Sequence, residues 1–287
     1  MPGDRPGYRV VPAYRVVIVT MDSHTAGPAA RVQERLAQDF PGLTVSVHAA
    51  AEWAENPQTL LATRAAVAAG VAAVGRIPGF LGLHLEGPHL DPRRKGAHDP
   101  ALIRPMEAAD LALLAEAAGR LPALLVTLAP ESVTQAQIAA LSAAGVVVSL
   151  GHSDCGAGTA RAAFEAGARV VTHLFNAMSQ LGNREPGLVG AALDAEGVQA
   201  GLIADGVHVA VESMRVALAA KRGADGIFLV TDAMAVAGTD LAEFELNGRR
   251  ILRRDGRLTL ADGTLAGADI DFAGALRVLV GQVGVPL

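Results

Sequence analysis

Several features that would point to particular protein classes are scarce in this 287-residue sequence. A single cysteine, Cys155, excludes a disulfide framework within the chain and fits a reducing compartment. Aromatic residues make up only 3%, so the core must be packed mainly by aliphatic side chains and alanine. Basic residues form no dense run and the net charge is −5, which argues against a nucleic-acid partner.

Long apolar runs and targeting signals are lacking as well. The longest apolar stretches, such as residues 65–74, are too short and alanine-rich to span a bilayer. Residues 1–15 hold three prolines and no apolar signal core. These features predict a cytoplasmic protein without membrane association. A hydrophobic content of 51% is enough for a large α/β core.

From residue 79 onward, short aliphatic runs alternate with alanine-rich helical stretches. We predict strands over residues 80–85, 124–128, 146–150, 170–173, 198–203 and 227–230. We predict helices over residues 106–119, 134–144, 158–166 and 213–221, then a hairpin over 249–260 and a helix over 270–283. Regular alternation of this kind indicates parallel βαβ units and favours a (β/α) barrel.

Polar side chains follow the carboxyl ends of the predicted strands, namely Glu86, His152, His173, Asp205 and Asp232. In a barrel these ends face one mouth, where active sites are built. In an open doubly wound sheet the same residues would be spread along an edge.

The first part of the chain differs in character. Residues 14–20 and 43–48 are predicted strands, residues 28–39 a helix, and residues 53–57 a break. We therefore place a boundary near Asn56. The predicted domains are a βαβ unit over residues 1–56 and a partial barrel over residues 57–287.

Glu86, His152 and His173 combine two imidazoles and a carboxylate on separate strands. This set suits a catalytic zinc or iron ion with one coordination position left for water. The alternative is that each is a hydrogen-bonded buried polar group or a helix cap.

Other polar residues admit two interpretations each. Asp232 could act as a general base beside a metal-bound water, or cap the next helix. His98 could donate a hydrogen bond to an oxyanion, or be a solvated loop residue. Arg184 suits a phosphate, or a surface ion pair with Glu185 or another carboxylate. His208 follows an Asp-Gly pair that a simple turn would explain.

Seven short motifs occur in a fixed order: GLHLEGP (82–88), KGAH (95–98), GHS (151–153), THLFNAM (172–178), REPG (184–187), ADGVH (204–208) and TDAM (231–234). Together they resemble the N-acetylglucosamine-6-phosphate deacetylases of the amidohydrolase superfamily. The resemblance covers about residues 57–287. It implies a (β/α)8 TIM-type barrel, incomplete here because the β-sandwich segments and the ends of the barrel have no counterpart.

The resemblance also implies roles for individual residues. Glu86, His152 and His173 match the ligands of one divalent metal ion, zinc or iron(II). Asp232 matches the catalytic carboxylate and His98 the histidine at the substrate carbonyl. The positions that match substrate-binding residues are Ala97, Asn176, Ala177, Arg184, Asp205, His208, Leu265, Ala266 and Gly267. The implied reaction yields glucosamine 6-phosphate and acetate, in a homodimer with Arg184 reaching across the interface.

Residues 8–56 are similar to the N-terminal segment of the large subunit of magnesium chelatase. Three hypotheses follow for the chain. It is a working deacetylase in which the βαβ unit replaces missing strands, a catalytically dead remnant, or a tetrapyrrole-related binding module led by residues 1–56. The order of the seven motifs favours deacetylase ancestry.

Overall fold

The structure is a computed structural model that describes residues 15–20, 44–51, 59–75, 80–223, 226–234, 236–237, 239–246 and 249–286. The predicted helix over residues 28–39, the break over 53–57 and the boundary at Asn56 lie outside these ranges.

The main element is a parallel sheet of eight strands whose spatial order follows the chain. Its strands are β1 (Arg15–Thr20), β2 (Thr44–Ala51), β3 (Phe80–Glu86), β4 (Leu124–Leu128), β5 (Val147–Leu150), β6 (Val170–Val171), β7 (Gln199–Ile203) and β8 (Ile227–Val230). The first and last strands, β1 and β8, lie against each other, so the sheet curls on itself as in a barrel. The predicted barrel class is confirmed.

The two strands of the first segment are part of this sheet. β1 pairs in parallel with β2, and β2 pairs in parallel with β3. They occupy the first two places of the barrel, for which the sequence resemblance offered no counterpart. The division into domains at Asn56 stays a prediction.

Helices follow most of the strands. They are α1 (Thr59–Ala73), α2 (Ala108–Ala118), α3 (Gln135–Ala143), α4 (Ala157–Ala166), α5 (Gly187–Asp194), α6 (Val211–Ala220) and α7 (Phe272–Val278). Their starts have local causes: Thr134 and Gln137 form a capping box at α3, and Asp271 caps α7 through the Gly274 amide. None of the helices in these ranges is long and apolar enough to cross a bilayer.

Some predicted elements differ in extent. The strand predicted over residues 170–173 ends at Val171, and beyond it the Leu174 amide donates to the Gly201 carbonyl of the next strand at 2.7 Å. The helix predicted over 270–283 is α7 followed by a π-helical turn, Leu279–Val283, which ends at Gly284 with φ of 89°. The sequence analysis missed α1 and α5.

The predicted hairpin is part of a larger antiparallel sheet. Its four strands are β9 (Glu243–Leu246), β10 (Arg249–Arg254), β11 (Arg257–Thr259) and β12 (Leu265–Ala268), ordered β12-β11-β10-β9. Strand β12 returns to the barrel, where the Ala268 amide donates to the Asp232 carbonyl at 2.7 Å. This sheet therefore rests on the mouth of the barrel.

The two faces of the barrel strands differ in polarity. Leu85, Val126 and Val148 are fully buried and pack with the surrounding helices in the main apolar cluster. Because strand side chains alternate, the neighbouring Thr127 and Ser149 face the other way, into the barrel. The interior beneath the mouth is therefore lined by buried polar groups, and His84 Nε2 lies 2.8 Å from Thr127 Oγ1.

Candidate metal centre and active site

The predicted ligand residues converge at the carboxyl ends of neighbouring strands. Glu86 is the last residue of β3. His152 stands two residues beyond the end of β5, and His173 stands two residues beyond the end of β6. All are buried, and one ligand atom of each lies within 4.8 Å of the others. His152 Nε2 is 2.9 Å from Glu86 Oε1, and His173 Nε2 is 3.5 Å from Glu86 Oε2.

The tautomer of His152 is set by its surroundings. Its Nδ1 donates to the Arg94 carbonyl at 2.8 Å, so the Nε2 lone pair faces the cluster. The Nε2 atoms of His152 and His173 are 3.0 Å apart, a separation that requires a proton or another cation between them. The donor set therefore fits a divalent ion of the zinc or iron kind.

The electrostatics of the cluster also favour a cation. Burial lowers the pKa of His173, but the close contact and charge of Glu86, with the charge of Asp232, outweigh it and raise that pKa to about 9. Burial raises the pKa of Glu86, yet its contacts with His152, His173 and His98 hold it well below its usual value. Glu86 Oε2 and His173 Nδ1 are buried without hydrogen-bond partners among the described residues. A bound cation would satisfy the carboxylate oxygen.

His98 joins the cluster instead of pointing into solvent. Its Nε2 donates to Glu86 Oε1 at 3.0 Å, and its ring meets the His152 ring edge-on with centroids 4.8 Å apart. The preceding Ala97 packs beneath the antiparallel sheet, and its carbonyl accepts from Arg249 at 2.5 Å. The segment that carries His98 is thus held by Glu86 through the His98 ring and by Arg249 through the Ala97 carbonyl.

Asp232 stands two residues beyond β8 in a left-handed conformation, with φ of 53°. Its charge contributes to the raised pKa of His173, so its carboxylate lies within electrostatic range of the cluster. The next regular element in the described chain is strand β9, which leaves the helix-cap interpretation without a helix. Gly267 approaches so closely that a Cβ there would lie 2.8 Å from the Asp232 carbonyl oxygen.

The predicted substrate residues fall into two groups. Ala97 and Ala266 share one apolar cluster near Met234, and Leu265 and Gly267 belong to the same strand, β12, as Ala266. Ala177, with φ of 47°, lies close to Gly96 and so to the His152 ring. Ala177 therefore lies near His152, and Gly267 lies against Asp232.

Other predicted substrate residues make contacts within their own loops. The Asn176 amide donates to the carbonyls of His173 and Leu174. Asp205 accepts from two backbone amides of its turn and from His208 Nδ1 at 2.6 Å, which leaves His208 Nε2 for a ligand. Arg184 is exposed and has no ion pair in the described part of the chain.

The alternative interpretation of Arg184, an ion pair with Glu185, is not observed among the described residues. The Glu185 carboxylate instead accepts from the Ala157 amide at 2.7 Å and the Gly187 amide at 3.0 Å, at the starts of α4 and α5. A carboxylate at a helix N-terminus is favoured by the helix dipole.

Two functional candidates were missed by the sequence analysis. Glu131 lies three residues beyond β4 and binds the backbone just after His152. Arg249 holds the Ala97 carbonyl. The strand-end rule that selected Glu86 would also have found Glu131, whereas no local signal marks Arg249, which lies far from residue 97 in sequence.

Comparison with known proteins agrees with this geometry. The chain is 42% identical over 212 residues to an N-acetylgalactosamine-6-phosphate deacetylase of Shewanella sp. (strain ANA-3), covering 74% of this chain and 53% of that protein. It is 38% identical over 210 residues to an N-acetylglucosamine-6-phosphate deacetylase of Haemophilus influenzae, covering 72% and 54%. The chain thus spans about half the length of these curated relatives.

Solved structures extend the match to nearly the whole chain. A mutant N-acetyl-D-glucosamine-6-phosphate deacetylase of Mycobacterium smegmatis, in complex with N-acetyl-D-glucosamine-6-phosphate, aligns with a TM-score of 0.80 and 31% identity, covering 99% of this chain and 76% of that one. The Pasteurella multocida enzyme aligns with a TM-score of 0.79 and 30% identity, covering 96% and 72%.

The parallel barrel with a buried Glu/His/His cluster at its carboxyl mouth defines a metal-site barrel of the amidohydrolase type. Within that class, the chain belongs to the family of N-acetylglucosamine- and N-acetylgalactosamine-6-phosphate deacetylases. Residues 15–76 also match a family described as a domain of unknown function, DUF3479. The similarity of residues 8–56 to magnesium chelatase stays a prediction.

Proposed function

We propose that this chain hydrolyses the acetamide of N-acetylglucosamine 6-phosphate to glucosamine 6-phosphate and acetate. The observation that carries the proposal is the convergence of Glu86, His152 and His173 on one buried point, with His98 bonded to Glu86 and the charge of Asp232 raising the pKa of His173. Family membership supports the substrate class. A cytoplasmic location is part of the proposal, supported by the free thiol of Cys155.

In this proposal Glu86, His152 and His173 hold one divalent ion, zinc or iron(II). When bound, the ion supplies an activated water and polarises the amide carbonyl. Asp232 takes the proton of the attacking water and returns it to the departing amine. His98 Nε2 lies 3.0 Å from Glu86 Oε1, and in the reaction its proton is donated to the developing oxyanion in place of Glu86.

The sugar phosphate is assigned to the surrounding loops. His208, held by Asp205 through Nδ1, and Asn176 with Ala177 contact the sugar phosphate from the loops after β7 and β6. Ala97, Leu265, Ala266 and Gly267 line the other side of the mouth, beside Asp232. The exposed guanidinium of Arg184 suits a phosphate in a second protomer of a homodimer.

The test is acetate release from N-acetylglucosamine 6-phosphate by the purified chain, loaded with zinc or iron(II). We expect Asp232→Asn to abolish turnover while metal content stays at the parental level, because Asp232 is not among the ligands. Asp240→Asn, a change at an exposed site away from the cluster, serves as the matched control and should keep parental turnover. Folded, metal-loaded parental protein without acetate release would refute the proposal and support a catalytically dead remnant.

N-acetylgalactosamine 6-phosphate is the second candidate substrate. It is favoured by the Shewanella relative, which carries that name at 42% identity. The ratio of kcat/KM for the two epimers decides between the candidates, since specificity is the difference between their transition-state binding energies.

A further inference from the structure

The residue that binds the backbone just beyond His152 is Glu131. Ser153 Oγ donates to Glu131 Oε2 at 2.8 Å, and the Asp154 amide donates to Glu131 Oε1 at 2.9 Å. Glu131 itself follows β4, the neighbour of β5. The Glu131 carboxylate therefore connects the end of β4 to the end of β5. Its two contacts on the β5 side are the residues that directly follow His152, a proposed metal ligand.

The backbone at His152 needs such support. Its φ of 46° places this residue in the left-handed region, which is unfavourable for a non-glycine side chain. Such strained conformations persist where several surrounding contacts hold the backbone in place, and they are concentrated at functional sites. The Asp91 amide donates to the His152 carbonyl at 2.9 Å, while Glu131 holds the next two residues.

The same group of charges fixes the His152 ring. Its Nδ1 donates to the Arg94 carbonyl, and the Arg94 side chain is bound to Asp154 by contacts of 2.8 and 2.6 Å. Arg93 pairs with Asp91 at 2.6 Å and reaches Glu131 at 3.4 Å. The Arg94 carbonyl accepts the Nδ1 proton of His152. Through Asp154 and Glu131, the residue that supplies this carbonyl is thus connected to the turn that carries His152.

We propose that Glu131 is a positioning residue for the metal centre, which holds the turn at His152 so that Nε2 of this ligand points at Glu86 and His173. The inference rests on the proposed metal-dependent function. Glu131 touches neither the cluster nor the assigned substrate positions, so its effect passes through His152. Loss of supporting contacts of this kind typically costs about 10–100-fold in metal affinity.

The experiment compares Glu131→Ala, Glu131→Gln and the control Glu116→Ala in the full chain. Glu116 lies on α2, where it is exposed and, among the described residues, forms an ion pair only with Arg120, at 3.5 Å. The measurements are the zinc dissociation constant by competition with a chelator and the visible absorption of the cobalt(II)-loaded protein. Cobalt absorption reports ligand geometry, which a general loss of stability does not change.

We expect Glu131→Ala to weaken zinc binding about 10–100-fold and to alter the cobalt spectrum. Glu131→Gln should keep most of the zinc affinity and most of the parental cobalt spectrum. Its amide oxygen still accepts from the Asp154 amide, and its amide nitrogen can donate to Ser153 Oγ. Glu116→Ala should match the parent. Folded Glu131→Ala with parental affinity and spectrum would overturn the inference while leaving the proposed function intact.

A second variant keeps the test decisive if Glu131→Ala does not fold. Ser153→Ala removes a single donor to Glu131 and should weaken zinc binding in the same direction, by a smaller factor. Parental zinc affinity in Ser153→Ala would then overturn the inference. A parental chain that binds neither zinc nor cobalt would overturn the metal site itself, a result distinct from the failure of Glu131 alone.

Discussion

Two glycines, Gly263 just before β12 and Gly267 within it, allow a sharp test of how the antiparallel sheet supports the candidate active site. Gly267 has φ of 70°, and a Cβ there would lie 2.8 Å from the Asp232 carbonyl oxygen and 2.3 Å from Met234 Cγ. Gly263 has φ of 86°, but nothing lies within 4 Å of its hypothetical Cβ. Alanine at either place must adopt a left-handed backbone, and only at Gly267 does it also collide.

The expected magnitudes follow from these two terms. The left-handed conformation costs an alanine about 1–2 kcal/mol, which applies to both Gly263→Ala and Gly267→Ala. Overpacking adds about 1–3 kcal/mol at Gly267. The Met234 side chain can yield, but the Asp232 carbonyl cannot move freely because it accepts from the Ala268 amide at 2.7 Å. Gly267→Ala should therefore lose the greater stability and displace Asp232.

Thermal unfolding and acetate release together provide the assay. Each kcal/mol corresponds to a melting shift of about 2–4 °C for domains of roughly this size. Gly263→Ala should melt a few degrees below the parent with parental turnover. Gly267→Ala should melt lower still, with turnover reduced on the order of 10-fold or more by misplacement of Asp232, the proposed general base. Equal melting shifts in the two variants, or parental turnover in Gly267→Ala, would refute the reasoning.

Further predictions concern pH, thiol chemistry and metal binding. Burial raises the pKa of Asp110, but hydrogen bonds from Arg104 and the Glu107 amide outweigh it and lower that pKa below its ordinary 3.8. The ionised Asp110 therefore adds to the free energy of unfolding; this gain is complete above pH 3.8 and is lost as pH falls through the lowered pKa. In acid unfolding followed by circular dichroism, Asp110→Asn should make stability depend less on pH in this range. Burial raises the pKa of the Cys155 thiol to about 11, so a disulfide reagent at pH 8 should label it only as the chain unfolds. Rapid labelling of native protein would contradict this. Zinc at 100-fold its dissociation constant should stabilise the chain by about 2.7 kcal/mol, and calorimetry should show that Glu86→Gln abolishes this gain.

Much of the barrel could be predicted from the sequence because its signals are local. The strands Leu124–Leu128 and Ile227–Val230 have the predicted bounds, since each is a short aliphatic run between polar or small residues. The helix Gln135–Ala143 begins next to a capping box that can be recognised in sequence. The helix Gly187–Asp194 was missed because it follows a loop rich in glycine and proline and is buried almost throughout, so it has no amphipathic pattern.

The candidate site was predictable to the extent that strand ends meet at one mouth. That rule led to Glu86, His152 and His173, which the structure brings within ligand distance of one another. It could not predict that Asn176 turns onto its own loop or that Arg249 holds Ala97, since those contacts depend on the path of loops between distant elements.

The sequence by itself determined the alternation of strands and helices, the order of the motifs and the chemical character of the metal cluster, because these depend on neighbouring residues and on side-chain type. Only the tertiary structure decided that β1 and β2 complete the sheet, that His98 bonds to Glu86, and that Glu131 holds the turn at His152. These contacts join residues far apart in the chain. Their geometry is set by strand register and by the packing of loops at the mouth, which no local pattern specifies.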